Sequence, residues 1–256
     1  MRRIFWVIMG LLLSVLFYTT YDKFSMAKEF DYYEVKHKED GMLKIGVVGD
    51  SWTSRYPLDS LLEKGLRGEG IEAKVIGASC PGGTSKVIYE NLFKPKGEEC
   101  SSRFVVESSP NYCIVIAGVN DSFRGFGKEF YAGHMLKIVE ALMHYQIKPI
   151  VFEIPNFGIE RSQISRQKLS IYRDDIIYTI KGEDFKDIES YRIEFRKLLK
   201  SRGLLDKVIL INDENQNIDY DQHKEMYSDA LHLNEKGYEI LLDIIVKKLK
   251  EELQTK

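Results

Sequence analysis

From residue 42 to the C-terminus, short apolar runs rich in β-branched residues alternate with longer stretches of helical periodicity, and no other feature constrains the fold as much. The strand candidates are residues 44–48, 72–76, 112–117, 149–154 and 207–211, and helical patterns occupy 58–67, 84–92, 129–144, 185–201 and 235–252. In the fourth of these, Phe185, Ile188, Tyr191, Phe195, Leu198 and Leu199 share one face, which assigns them to core packing. Strands that alternate with helices join a parallel sheet through right-handed crossovers. The expectation is therefore a three-layer α/β/α sandwich with a five-stranded parallel sheet. The 256 residues suffice for one such domain with a sizeable core, and not for two large ones. Between 155 and 182 the alternation lapses in a long insertion after the fourth strand. Such a loop commonly shapes substrate access, and surface packing without substrate contact fits equally well.

The N-terminus obeys a different rule. Arg2 and Arg3 precede a charge-free run of 18 residues, 4–21, apolar on every face and close to the shortest helix that spans a bilayer core. A cleaved secretory signal is the competing reading, with Ser25-Met26-Ala27 as a small-x-small site, but that site lies beyond Asp22 and Lys23 and far from the apolar run. An uncleaved signal-anchor over 1–21 fits better. The arginines then stay in the cytoplasm, 22–41 serves as a tether, and 42–256 forms an extracytoplasmic domain.

The charge is nearly balanced, 37 Lys and Arg against 39 Asp and Glu, with the basic residues spread among acidic ones, so nucleic acid is not an expected partner. The three cysteines lack metal-ligand spacing. Cys113 sits in an apolar strand and reads as a buried small hydrophobe, whereas Cys80 and Cys100 lie in loops and could pair in an oxidising compartment.

Gly49-Asp50-Ser51-Trp52 stands where the first strand ends and a helix is about to begin, the rim at which open α/β sheets hold ligands. A serine hydroxyl there becomes a nucleophile only if a base takes its proton and a third group orients the base. Of five histidines, His37 falls in the tether, His134 and His144 on a helix, and His223 in a polar run. His232 lies between the last strand and the last helix, with Asp229 three residues before it and Asn234 as a helix N-cap. The oxyanion formed by attack on an ester needs donors fixed in advance. They could come from the loop holding Gly77, Gly82 and Gly83, or from the side chain of Asn120 in Gly118-Val119-Asn120-Asp121. Taken singly, each of these stretches also fits an ordinary turn.

Gly49-Asp50-Ser51, the Gly82-Gly83-Thr84 loop, Gly118-Val119-Asn120-Asp121 and Asp229-Ala230-Leu231-His232 resemble, in order and spacing, the four blocks of the SGNH (GDSL-type) hydrolases. Phe123-Arg124-Gly125-Phe126 also looks like the segment that follows the third block in bacterial lysophospholipase/thioesterase members. The resemblance implies a flavodoxin-like fold with Ser51 as nucleophile, His232 as base and Asp229 as its orienter. It implies an oxyanion hole of the Ser51 N–H, the Gly82 N–H and the Asn120 side chain, and no metal or cofactor. Asp50 would be structural. Trp52 replaces the leucine of the family name, and Thr53 stands where an α/β-hydrolase elbow needs glycine.

Together these readings describe a membrane-tethered serine esterase acting on acyl esters, O-acetyl groups of an envelope polysaccharide by family analogy. An O-acyltransferase with the same triad shares the covalent step. A noncatalytic carbohydrate-binding or assembly module would have no need of the full set Ser51, Asn120, Asp229 and His232.

Overall fold

The computed structural model describes residues 24–37, 41–164, 186–212 and 218–254, together with Met9. The apolar run 4–21 expected to anchor the chain therefore lies, Met9 apart, outside the described residues, as does the part of the insertion from 165 to 182. Among the described residues no helix is long and apolar enough to cross a membrane.

Five parallel strands form one sheet: β1 (Leu43–Gly49), β2 (Ala73–Ser79), β3 (Tyr112–Ile116), β4 (Lys148–Phe152) and β5 (Ile209–Ile211), in the order β2-β1-β3-β4-β5. The expected three-layer sandwich is what forms. Between the strands run α1 (Ser51–Ser54), α2 (Leu58–Gly68), α3 (Ser85–Asn91), α4 (Arg103–Glu107), α5 (Val119–Phe123), α6 (Lys128–His144), α7 (Ile159–Ile164) and α8 (Ile188–Ser201), and α9 (Glu235–Gln254) closes the chain. Helix α9 packs on α2 in one layer, while α6 lies between α3 and α8 in another. Strand β3, central in the sheet, is buried at every position, as its Tyr-Cys-Ile-Val-Ile sequence demands of a strand covered on both faces.

Register sets the site. Gly49 pairs with Ser79 and with Ile116, Ile116 with Phe152, and Phe152 with Ile211, so the carboxyl ends of all five strands fall on one line. The loops that follow them open at the same rim. Strand β2 runs three residues further than its apolar stretch suggested, because Gly77-Ala78-Ser79 continues the ladder. A Cβ at Gly77 would lie 3.0 Å from the Cβ of Asp59, so the strand edge stays without a side chain where α2 comes down on it. Strand β5 begins at Ile209 rather than Lys207, since Leu205–Lys207 coils into a 3₁₀ turn.

Residues 24–37 were expected to be tether, and they lie along the domain surface. Phe24 packs on Phe126 with ring centroids 4.6 Å apart, Phe30 stacks on Phe93 at 4.9 Å, and the Tyr33 hydroxyl donates to Leu92 O at 2.9 Å. The Ala27 N–H donates to His134 Nε2 at 2.9 Å, and Ala27 is buried. The aromatic residues in this charged segment supply the apolar area that docks it.

The end of β4 is held by two arginines of α8. Arg192, with no exposed surface, donates through Nε and Nη2 to Ile154 O at 2.9 and 2.6 Å, and through Nη2 to Asn156 Oδ1 at 2.9 Å. Arg196 pairs with the buried Glu153 in a two-pronged contact. Burial pushes the Glu153 carboxyl up while Arg196 draws it down, so the guanidinium compensates a charge the core would otherwise reject.

Candidate active site

Strand β1 delivers Asp50 and Ser51 to the rim through a turn that only glycine permits at position 49. A Cβ there would run into the Ile116 carbonyl oxygen of the neighbouring strand and come within 2.6 Å of Thr53 Cγ2. Asp50 is fully buried and caps α1, its Oδ1 accepting the Trp52 N–H at 2.9 Å while Oδ2 accepts from Asn120 Nδ2 at 3.2 Å. Burial pushes the Asp50 carboxyl up to about 7, with neighbouring Asp121 adding to the rise. Its oxygens are spent on the turn, which makes it a scaffold residue.

Ser51 Oγ lies 3.0 Å from His232 Nε2, and His232 Nδ1 lies 2.9 and 3.0 Å from the two oxygens of Asp229. The loop from 228 to 234 folds around that carboxylate. Asp229 Oδ1 also accepts the N–H groups of Leu231 and His232 at 2.8 and 2.9 Å, the pattern of an Asx turn. Asn234 caps α9 as expected, accepting the Gly237 N–H at 3.1 Å. For Asp229, burial acts to raise the pKa. The Leu231 N–H, the His232 ring and Arg55 outweigh it and hold the carboxyl below its usual value.

Three contacts around this line had no sequence signal of their own. Arg55 Nη1 donates to Asp229 Oδ2 at 3.1 Å, Trp52 Nε1 donates to Leu231 O at 2.9 Å, and the Tyr238 hydroxyl donates to Trp52 O at 2.9 Å. Arg55 lies four residues after Ser51, but its partner Asp229 is 174 positions away, so no local spacing points to the contact. The indole of Trp52, buried to 1 % exposure, clamps the Ser51 turn to the His232 loop.

Of the three candidate oxyanion glycines, Gly77 is committed to the β-ladder and the Gly83 N–H donates to Cys80 O at 2.8 Å. Among the described residues the N–H groups of Gly82 and Ser51 have no protein acceptor, and both residues are partly exposed, so these donors are open to solvent or to a ligand. Gly82 takes φ +74°, a left-handed conformation natural to glycine. Asn120 departs from expectation: its Nδ2 donates to Asp50 Oδ2 and, at 3.1 Å, to Gly83 O. Both hydrogens are engaged, so at rest the amide ties the glycine loop to the nucleophile turn and is no free donor. Its neighbour Asp121, pushed up to about 7 by burial, accepts from the Ser85 N–H and hydroxyl and fixes the start of α3 behind that loop. The Cys80–Cys100 disulfide closes the base of the same loop, and Cys113 is free and buried.

No protein-family model and no curated protein matches the sequence. Solved structures do. A lipase/acylhydrolase from Enterococcus faecalis superposes with a TM-score of 0.60 at 18% identity, over 82% of this chain and 97% of that one. A GDSL-like lipase from Bacteroides thetaiotaomicron gives 0.57 at 15% identity, over 82% and 88% of the two chains. The acetyl xylan esterase AlAXEase also gives 0.57, at 19% identity, over 80% and 98%. The chain has the SGNH (GDSL-type) hydrolase fold. In that fold the rim described above is where an open α/β sheet places its ligand. Within this SGNH frame, the chain joins Ser51, His232 and Asp229 in one hydrogen-bonded line, with two unspent backbone N–H groups in the loops beside it.

Proposed function

We propose that the protein is a serine esterase that removes acyl groups, O-acetyl above all, from an extracytoplasmic carbohydrate or other envelope substrate, anchored to the membrane by residues 4–21. Ser51 Oγ attacks the ester carbonyl as His232 Nε2 takes its proton, and Asp229 holds the ring and the positive charge it acquires. The tetrahedral oxyanion receives the N–H groups of Ser51 and Gly82. Collapse breaks the ester C–O bond, and His232 passes its proton to the departing alcohol oxygen. Water, deprotonated by the same imidazole, then attacks the acyl-Ser51 carbonyl and releases the acid, returning the proton to Ser51.

The observation that carries this reading is the relay from Ser51 Oγ through His232 to Asp229, with both contacts near 3 Å. The disulfide supports an oxidising compartment, and the apolar run at 4–21 supports an anchor. Structural neighbours that act on esters, an acetyl xylan esterase among them, support acyl-ester chemistry. The test incubates the full-length chain in detergent with an O-acetylated polysaccharide, with and without a deacetylated glycan acceptor. Free acetate that disappears in Ser51→Ala is the expected result. Acetate transferred only to the acceptor would replace hydrolase by transferase. Neither product, with no fluorophosphonate labelling at Ser51, would sink the enzyme reading.

A further inference from the structure

His232 must deliver its proton to the alcohol oxygen of the substrate, so the alcohol's skeleton has to lie on the side of the site that His232 faces. A cleft of about 690 Å³ adjoins His232, and Asp229, Arg161, Ser162, Tyr220 and Lys224 share its lining. Among the described residues its aliphatic lining is Ala230 and Leu231 alone, and the rest is polar side chains and the rings of Tyr220 and Tyr227, a lining better suited to a sugar than to a long alkyl chain.

The cleft has a built wall. The buried Arg192 holds Asn156, which donates through Nδ2 to Asp219 Oδ2 at 2.8 Å and accepts the Tyr220 N–H at its carbonyl at 2.7 Å. The Gly158 N–H donates to Ala230 O at 2.8 Å, and a Cβ at Gly158 would lie 2.7 Å from the Tyr220 ring, so the ring sits directly on the loop. The Asp219 carboxylate is occupied by Asn156 and by the N–H groups of Asp221 and Gln222. Asp229 is occupied by His232 and Arg55. Among the described residues, Arg161 and Lys224 have no carboxylate partner, and Lys224 Nζ stands 5.8 Å from the Tyr220 ring centre. Two cations with no carboxylate partner among the described residues thus border the space into which the leaving alcohol must fit.

We propose that this cleft is the alcohol subsite and that it takes a sugar bearing an acidic group, a uronate carboxylate or a phosphate, which pairs with Arg161 and Lys224. The assignment rests on the ester-cleaving reading of Ser51. The test compares three acetyl esters of one methyl glycoside, matched except at C6, which is hydroxymethyl, carboxylate or phosphate, with the full-length chain. At least one acidic ester is expected to exceed the neutral one by about tenfold or more in kcat/KM, carried by KM and shrinking as salt rises. The acid that shows the advantage identifies which source the cleft accepts. Lys224→Gln and Arg161→Gln should each bring the acidic-to-neutral ratio toward one, and Lys224→Arg should restore it. A neutral ester turned over as well as both acidic ones, or a ratio untouched by both glutamine variants, overturns the subsite and leaves the esterase standing. Loss of all turnover and of Ser51 labelling in the wild type overturns the esterase and the subsite together.

Discussion

Arg55 and His232 hold the same carboxylate from two directions: Asp229 Oδ2 takes Arg55 Nη1 at 3.1 Å, while its two oxygens face His232 Nδ1 at 2.9 and 3.0 Å. The guanidinium therefore fixes the angle at which Asp229 meets the imidazole and helps hold it ionised. The side chains are 40% and 48% exposed, so solvent screens the pair and its share of global stability stays below about 1 kcal/mol. Arg55→Gln should lower kcat by about three- to tenfold with KM little changed, and raised ionic strength should slow the wild type more than the variant. An unaltered kcat would remove Arg55 from the positioning of Asp229.

The three members of the relay should differ in how much each removal costs. Ser51→Ala and His232→Ala are expected to lower turnover by about 10⁴-fold or more, and Asp229→Ala by less, because the imidazole can still accept a proton when unoriented. Fluorophosphonate labelling should vanish in Ser51→Ala. Equal rates in all three variants would break the assignment.

Gly82→Ala tests the oxyanion donor. At φ +74° an alanine is strained, and its Cβ would lie 3.2 Å from Arg124 Nη2. The flexible Arg124 tip can yield, so the strain falls on the backbone, and relieving it turns the peptide that carries the Gly82 N–H. A fall in kcat of about 10- to 100-fold is expected, with a stability loss of only about 1 kcal/mol by chemical denaturation. A stability loss without a kcat loss would move the donor elsewhere.

His134 gives the docked N-terminal segment a pH dependence. Its Nε2 accepts the Ala27 N–H and its Nδ1 faces Phe130 O at 2.6 Å, which requires a neutral ring. Burial pulls its pKa from 6.5 down to about 4. Between those values the unfolded chain binds the additional proton, so this contribution is complete above about pH 6.5 and is lost as pH falls toward 4. Its size is on the order of 3 kcal/mol. Unfolding free energies of wild type and His134→Gln should diverge across this window by a total of about that amount, and parallel curves would contradict it.

The disulfide encloses a segment with a sequence separation of 20 that contains the loop of Gly82 and Gly83. Cys100→Ser should cost about 3 kcal/mol of stability by the chain-entropy argument. Because the Cys80 carbonyl anchors the Gly83 N–H, kcat should fall as well. Melting and turnover under reducing and oxidising conditions check both.

The sheet was legible because each strand is an apolar, β-branched run between turn residues, and Ser51, Asp229 and His232 were legible because they fall at strand ends and a helix start. The short helices Ser51–Ser54 and Val119–Phe123 left no trace, since neither completes the two turns that periodicity needs. Arg192 is buried beside Ile188, Tyr191 and Phe195, yet a charged residue at that position reads as solvent-facing until Ile154 and Asn156 are seen to receive it. The docking of 24–37 was hidden by Lys28, Glu29 and Asp31 among its aromatics. The engagement of Asn120 by Asp50 and Gly83 depends on three loops meeting, and no one-dimensional pattern encodes that meeting.

The Trp52 indole meets the Leu231 carbonyl across a sequence separation of 179, and Ser51 meets His232 across 181. Ser51 directly follows the first strand of the sheet, and His232 sits in the loop that launches the last helix. A chain emerging from synthesis holds Ser51 without His232, and a serine hydroxyl with no base beside it is a poor nucleophile. The Ser51–His232 contact needs α9 seated on α2 with the loop before it over the rim, so the site is assembled from the two ends of the domain and exists only in the folded chain.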